Sequence, residues 1–301
     1  MLLSICIPSY NRFDELRHLL NSITKATSSN FDVFVIDNGS AYDFTDESLN
    51  DNRIHFLKRE EAVPGPVNLR TSLNYGDGKY RMLCLDKDYI DGRFLDNFIN
   101  KLEYIDVSCG YCLLNAENEN GSFQINKTSI DKTIYRCGHP SGYFFRKDVI
   151  EKDNSMIDVN DKQGVFYNNP FTPDLLYAVG LLLGKEAIYT GKLVVPETIE
   201  KAQKTQSYTY TSNNKNIYFM PDRKVQQFFV LVEHLKLLDV DSAVQKKVIG
   251  RLFRRTLMDC TLNYRNIMQN KGICMHHGID TKDVSSKEMF FEAKSFTHYF
   301  Y

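Results

Sequence analysis

The 301-residue sequence has neither glycine-rich loop that cradles phosphates: G-x-x-x-x-G-K-[ST] and G-x-G-x-x-G are both missing. Phosphate handling by a backbone cradle of those types is excluded. No apolar run is long enough to span a bilayer. The opening residues, MLLSICIPSYNR, have no charged segment ahead of their apolar run, which stops at Pro8. They are expected to form a first strand and not a signal peptide. An excess of charge is also missing: 37 Lys and Arg against 38 Asp and Glu give a net charge of -1. That balance removes any global field drawing in nucleic acid or a strongly acidic partner. The cysteine count, seven, is odd, and Cys6 and Cys84 lie in apolar runs. Reduced, buried thiols in a cytoplasmic protein are expected. Cys109 and Cys112 have redox spacing but lie in a strand-like run, DVSCGYCLLN, where a redox pair needs a helix N-terminus. They are expected to be structural. No internal repeat is present.

What is present is alternation. LLSICI (2–7), DVFVID (32–37), IHFLK (54–58) and RMLCLD (81–86) are short apolar runs with strand character. Between and after them, residues 13–25, 66–75 and 92–105 place apolar side chains at helical spacing. Strands that are apolar along their whole length imply a parallel-type sheet covered on both faces. After residue 106 shorter strands are expected at 107–115, 142–146 and 187–195, with a helix at about 173–184. From 222 onward the pattern is helical, and the polar stretch 200–216 reads as a loop.

In open α/β sheets, ligands bind outside the carboxyl ends of the strands. Three polar clusters occupy that location: Pro8-Ser9-Tyr10-Asn11-Arg12, Asp37-Asn38-Gly39-Ser40 and Asp86-Lys87-Asp88. Each alone reads equally well as a turn, a cap or a solvated approach to a helix. Together, on neighbouring parallel strands, they would share one rim. Two carboxylates one residue apart can face one hard cation, and oxygen ligands suit Mg2+ or Mn2+. A carboxylate at Asp37 can accept from a ribose hydroxyl or a base N–H. Gly39 permits close backbone approach, and Tyr10 offers a flat face to a base. With no phosphate loop, the metal and basic side chains would manage the phosphate charge.

The segments LSICIPSYNRFDELRHLLNSI, VFVIDNGS and GKYRMLCLDKDYI, in that order and spacing, resemble the nucleotide-sugar domain of family 2 glycosyltransferases of the GT-A fold, bacterial surface-polysaccharide type. The resemblance covers roughly residues 1–200. It implies an α/β, Rossmann-like nucleotide-sugar domain with a mixed central sheet over 1–215, followed by a C-terminal helical extension at 216–301. The nucleotide-binding half would be about 1–106 and the acceptor half about 107–215. It implies a metal-dependent, inverting transfer of a sugar from a nucleotide-diphosphate donor, by default a UDP-sugar, to a hydroxyl of a glycan or lipid-linked glycan.

Carried over by residue, Pro8, Tyr10, Asn11 and Asp37 hold the nucleoside. Asp86 lies near ribose or metal, Asp88 is the ligand of Mn2+ or Mg2+, and Arg70 lies near the donor. The second motif departs from the commoner pattern, with Asn38 where a second acid is usual. Asp174, in the first turn of the helix in NNPFTPDLLYAVGLLLG, is the implied general base; Asp158, Asp161 and Glu197 are its rivals. A helix-start acid favoured by the macrodipole explains Asp174 equally simply. His139 is weighed as an extra metal or phosphate contact against an ordinary loop histidine. His276 and His277 are expected at the surface.

In 244–268, Lys246, Lys247, Arg251, Arg254 and Arg255 crowd away from the apolar face. A solvated basic face is the simplest reading. Docking to an anionic membrane surface, at the inner face of the cell membrane, is the functional one. The segment YFMPDRKVQQFF (218–229) reads equally as a domain-docking or homodimer-forming helix. Two further readings of the whole chain are a non-catalytic binding module on the same fold and a sugar nucleotidyltransferase. The latter would need a Gly-rich loop after strand one, which PSYNRFDE does not supply.

Overall fold

Every residue of the first strand, Leu3–Ser9 (β1), is buried, because β1 has a strand on each side and helices over both faces. The computed structural model describes residues 1–44, 50–133, 139–160, 166, 172–197 and 221–263. The chain divides into two units, Met1–Glu197 and Thr198–Tyr301. The expected division at 215/216 lies outside the described residues.

In the first unit β1 pairs in parallel with Phe31–Asp37 (β2) on one side and with Tyr80–Leu83 (β4) on the other. Ile54–Lys58 (β3) extends the sheet in parallel beyond β2. Tyr143–Arg146 (β8) lies antiparallel between β4 and Cys109–Cys112 (β6). Glu186–Tyr189 (β9) runs parallel to β6, and Phe123–Asn126 (β7) closes the edge. The order is β3-β2-β1-β4-β8-β6-β9-β7, a mixed sheet of the expected class. Tyr89–Ile90 (β5) pairs separately with Val194–Val195 (β10).

Helix Phe13–Ile23 (α1) buries Leu16, Leu19, Leu20 and Ile23, one stripe at i, i+3, i+4 and i+7. Gly92–Glu103 (α3), capped by the Asp91 carboxylate accepting from the Arg93 N–H, buries Leu95, Phe98, Ile99 and Leu102. The two helices pack together over one side of the sheet. Gly65–Ser72 (α2), Lys147–Asn160 (α5) and Thr172–Leu183 (α6) form the second helical group, with Ile130–Thr133 (α4) against α6. Alternation along β8 separates the faces: Phe144 meets Phe98 of α3, while Tyr143 meets Tyr177 of α6.

The structure departs from the sequence reading in three places. The run 187–195 is two strands in two sheets, because Thr190, Gly191 and Lys192 turn the chain between β9 and β10. The strand expected at 107–115 is regular only over Cys109–Cys112. Helix α5 was not anticipated at all; its buried positions are Val149, Ile150, Asp153 and Ile157. An acid on the inner face breaks the apolar pattern.

The second unit contains Pro221–Leu237 (α7) and Ser242–Met258 (α8), followed by a π-helical turn, Asp259–Asn263. Helix α8 buries Val248 and Leu252 and exposes Lys246, Lys247, Arg251, Arg254 and Arg255. Residues 264–268, and His276 with His277, lie outside the described residues. No helix among the described residues is long and apolar enough to cross a membrane. Cys6, Cys84, Cys109 and Cys112 are buried free thiols. Burial pushes the Cys6 thiol up to about 12 and raises Cys109 and Cys112 as well, so neither member of the 109/112 pair has thiolate character.

Candidate functional site

Because β2, β1 and β4 are adjacent and parallel, the segments after Ser9, Asp37 and Leu83 leave the sheet along one rim. The loops behind the first two strands are stitched to each other. Asp37 Oδ1 accepts from the Ser40 backbone N–H at 3.1 Å and from the Ser40 hydroxyl. Ser40 Oγ in turn accepts from the Asn11 N–H at 2.8 Å. Asn11 Oδ1 accepts from the Ala41 N–H at 3.1 Å. Asn11 holds a left-handed backbone, φ 52°, which asparagine tolerates better than most residues. Tyr10, next to it, remains 43% exposed.

Asn38 explains itself in the same network. Its Nδ2 donates to the Val63 carbonyl at 2.7 Å and its Oδ1 accepts from the Val63 N–H at 3.0 Å. An aspartate here could accept but not donate. The departure from a second acid therefore clamps the chain between β3 and α2. Gly39 holds φ 77°, a left-handed backbone that glycine adopts without strain.

The segment after β4 brings two carboxylates into contrasting environments. Asp86 Oδ2 accepts from the Tyr10 N–H at 3.2 Å, and its Oδ1 lies 3.7 Å from Arg12 Nε. Burial pushes this carboxyl up to about 6, with Arg12 and the Ser9 hydroxyl pulling it back down. Asp88 is also buried, but three donors converge on it. Oδ1 accepts from the Glu197 N–H at 2.9 Å, while Oδ2 meets His139 Nε2 at 2.5 Å and accepts from the Ser141 hydroxyl. Burial alone would raise Asp88; hydrogen bonds and charge from His139, with Ser141 and the Glu197 amide, outweigh it and hold the carboxyl below the usual range.

Ser141 has a second task. Its oxygen accepts from the Leu85 N–H at 2.8 Å, so one hydroxyl ties both ends of the turn that carries Asp88. Glu197 arrives through the β5–β10 pair and the Asp91 N–H donating to the Leu193 carbonyl at 2.9 Å. Its carboxylate lies 3.8 Å from Lys87 Nζ.

A family model described as "Glycosyl transferase family 2" matches residues 4–163, more than half of the chain. The chain belongs to glycosyl transferase family 2. No curated protein matches it at a significant level. Among solved structures, S. aureus TarS 1-349 superposes with a TM-score of 0.56 at 13% identity, covering 90% of this chain and 75% of that one. The same protein in complex with UDP-GlcNAc gives 0.57 at 15% identity, covering 92% of this chain and 79% of that one. These likenesses establish the fold: this family 2 glycosyltransferase has the GT-A architecture with C-terminal helices.

Within this family 2 chain, the rim gathers Tyr10, Asn11, Asp37, Asp86 and Asp88, as the sequence leads one to expect. Pro8 lies inside β1 opposite Ile36 and is buried. Arg70 is turned into the core, its guanidinium on the Asp153 carboxylate and 3.2 Å from Asn154 Oδ1. Asp174 is buried in the first turn of α6. Asp158 is exposed late in α5, and Asp161 lies outside the described residues.

Sequence reasoning did not find Arg12 at Asp86 or Ser141 at Asp88, and it left His139 without a partner. Among the described residues no group of three or more His, Cys, Asp or Glu side chains could hold a metal ion. Mg2+ and Mn2+ bind through one or two protein side chains and take the remaining ligands from water and phosphate. Asp88, held ionised at the rim, fits that role.

Proposed function

We propose that this chain transfers a sugar from a nucleotide-diphosphate donor, a UDP-sugar by preference, to an acceptor hydroxyl with inversion, aided by Mn2+ or Mg2+ held by Asp88. The observation that supports this reading is the shared rim: Asp37, Asp86 and Asp88 follow three adjacent parallel strands. Tyr10, Asn11 and Asp37 are the residues for the nucleoside, with Pro8 shaping the strand beneath them. Asp86 accepts from the ribose. TarS has been crystallised with UDP and with UDP-GlcNAc, which favours uridine on this fold.

When bound, the divalent ion supplies positive charge against the departing diphosphate. Asp174 takes the acceptor's hydroxyl proton as that oxygen bonds to the anomeric carbon. The bond from anomeric carbon to phosphate oxygen breaks, and its electron pair leaves with the diphosphate. The acceptor is a glycan or a lipid-linked glycan of bacterial surface assembly. The exposed basic face of α8 suits an anionic membrane surface at the inner side of the cell membrane.

The test is nucleotide diphosphate release from a panel of nucleotide sugars, with Mn2+, with Mg2+ and after chelation. Release from a uridine donor with metal and none after chelation is the expected pattern. Release from no donor under any condition would leave a binding module on this fold.

A further inference from the structure

The rim leaves open which side chain joins Asp88 at the divalent ion. We infer that His139 is that second ligand, through Nε2, so that one carboxylate and one imidazole make up the protein's share of the coordination sphere. The inference rests on the metal-dependent reading above and names a residue that reading does not need.

Asp86 is the obvious partner by spacing, and its surroundings argue against it. Its Oδ2 accepts from the Tyr10 N–H, and its Oδ1 lies 3.7 Å from the Arg12 guanidinium nitrogen Nε. A cation on that carboxylate would be placed beside a fixed positive charge.

Asp88 has the opposite setting. The Glu197 N–H and the Ser141 hydroxyl grip it through one oxygen each and fix its orientation. The Asp88 side chain is 0% exposed and that of His139 is 23% exposed, so the histidine forms the solvent-facing side of the pair. Nε2 and Oδ2 are 2.5 Å apart, a short hydrogen bond that sets the imidazole nitrogen beside the carboxylate oxygen.

Adjacent ligands of an octahedral Mn2+ or Mg2+, each about 2.1 Å from the ion, lie about 3 Å apart. Ion binding would replace the proton of this contact, with Nε2 and Oδ2 moving apart to about 3 Å and both lone pairs turning toward the ion. The other octahedral positions then belong to water and the diphosphate, as is usual for these ions. An imidazole nitrogen also gives selectivity. Nitrogen ligands suit the transition ions better than Mg2+, so the site should favour Mn2+.

The competing role for His139 is a hydrogen bond to Asp88 from outside the coordination sphere. Pulsed electron paramagnetic resonance on Mn2+ bound to the full chain with UDP separates the two. Direct ligation gives a nitrogen-14 hyperfine coupling to Mn2+ in the wild type. That coupling should vanish in His139→Gln, with Mn2+ affinity lowered at least about tenfold. Bound Mn2+ without the coupling in the wild type overturns the inference, as does a coupling that survives in His139→Gln. The wild-type spectrum decides without any variant, should His139→Gln fail to fold. The underlying reading fails differently: Mn2+ would then leave UDP binding to the wild type unchanged, and the inference would fall with it.

Discussion

The backbone N–H of Tyr10 donates to the carboxylate of Asp86, 76 positions away, at 3.2 Å. This bond joins the loop after the first strand to the acid after the fourth, and it makes the rim one structure. Its cost is burial of a charge. The Asp86 carboxyl is raised from 3.8 to about 6, so the folded protein binds its proton more tightly than the unfolded chain does. Stability is therefore undiminished below about pH 4, falls as the pH rises between the two values, and carries the full penalty above about pH 6. Asp86→Asn removes the charge and keeps an oxygen for the Tyr10 N–H. It is expected to stabilise the protein by about 1–3 kcal/mol at pH 7.5, with the gain fading toward pH 4, and to weaken UDP binding. Thermal unfolding across that pH range checks the sign.

Ser141 serves two masters through one oxygen, accepting from the Leu85 N–H and donating to Asp88. Ser141→Ala leaves the Leu85 N–H without this acceptor and removes one of the donors that hold Asp88 ionised. The expected cost is about 1–2 kcal/mol of stability. Mn2+-dependent UDP affinity should weaken more than in wild type as the pH falls toward about 4, because the Asp88 carboxyl rises toward its ordinary value. Thermal unfolding reads the stability cost, and titrating UDP at about pH 4.5 and 7.5, with and without Mn2+, in wild type and variant, reads the affinity.

Arg70 and Asp153 form an ion pair in which the two side chains are 2% and 0% exposed. It pins α2 to α5. Arg70→Ala removes the guanidinium from the buried Asp153 carboxylate and should cost about 3–5 kcal/mol. The double variant Arg70→Met with Asp153→Leu should recover most of that loss. If Arg70 acts as a structural pin, the folded double variant binds UDP like wild type. A large loss of UDP affinity there would instead support a role for Arg70 at the donor.

Asp174 begins α6 as a buried acid. As the general base, it is expected to contribute to transfer and not to donor binding. Asp174→Asn should bind UDP like wild type and transfer sugar about 100-fold more slowly or worse. Normal transfer by this variant would reassign the base, with Glu197, which reaches Asp88 through its backbone, as the next residue to test.

The rim was legible in the sequence because strand ends are local features. A buried apolar run that stops in polar residues marks its own carboxyl end, and parallel alternation brings such ends together. Asp37, Asp86 and Asp88 were found that way. What escaped are partners set by the fold. His139 and Ser141 meet Asp88 across 51 and 53 positions, and the Glu197 amide meets it across 109. No local pattern marks such pairs. Helix α5 escaped for a related reason: Asp153 occupies a core-facing position and reads as polar until Arg70 is placed against it. The break between β9 and β10 escaped because AIYTGKLVV is apolar on both sides of a short turn.

The central claim is that the shared rim binds a nucleotide diphosphate together with a divalent ion through Asp88. Thermal unfolding of wild type and Asp88→Ala, each with UDP and with or without Mn2+, tests it most directly. Wild type with UDP at about a hundred times its Kd in Mn2+ should gain about 2.7 kcal/mol, and far less without the ion. Asp88→Ala should lose the Mn2+-dependent part of that gain while folding normally. An equal Mn2+ effect in both proteins, or no UDP stabilisation of wild type under either condition, would contradict the account.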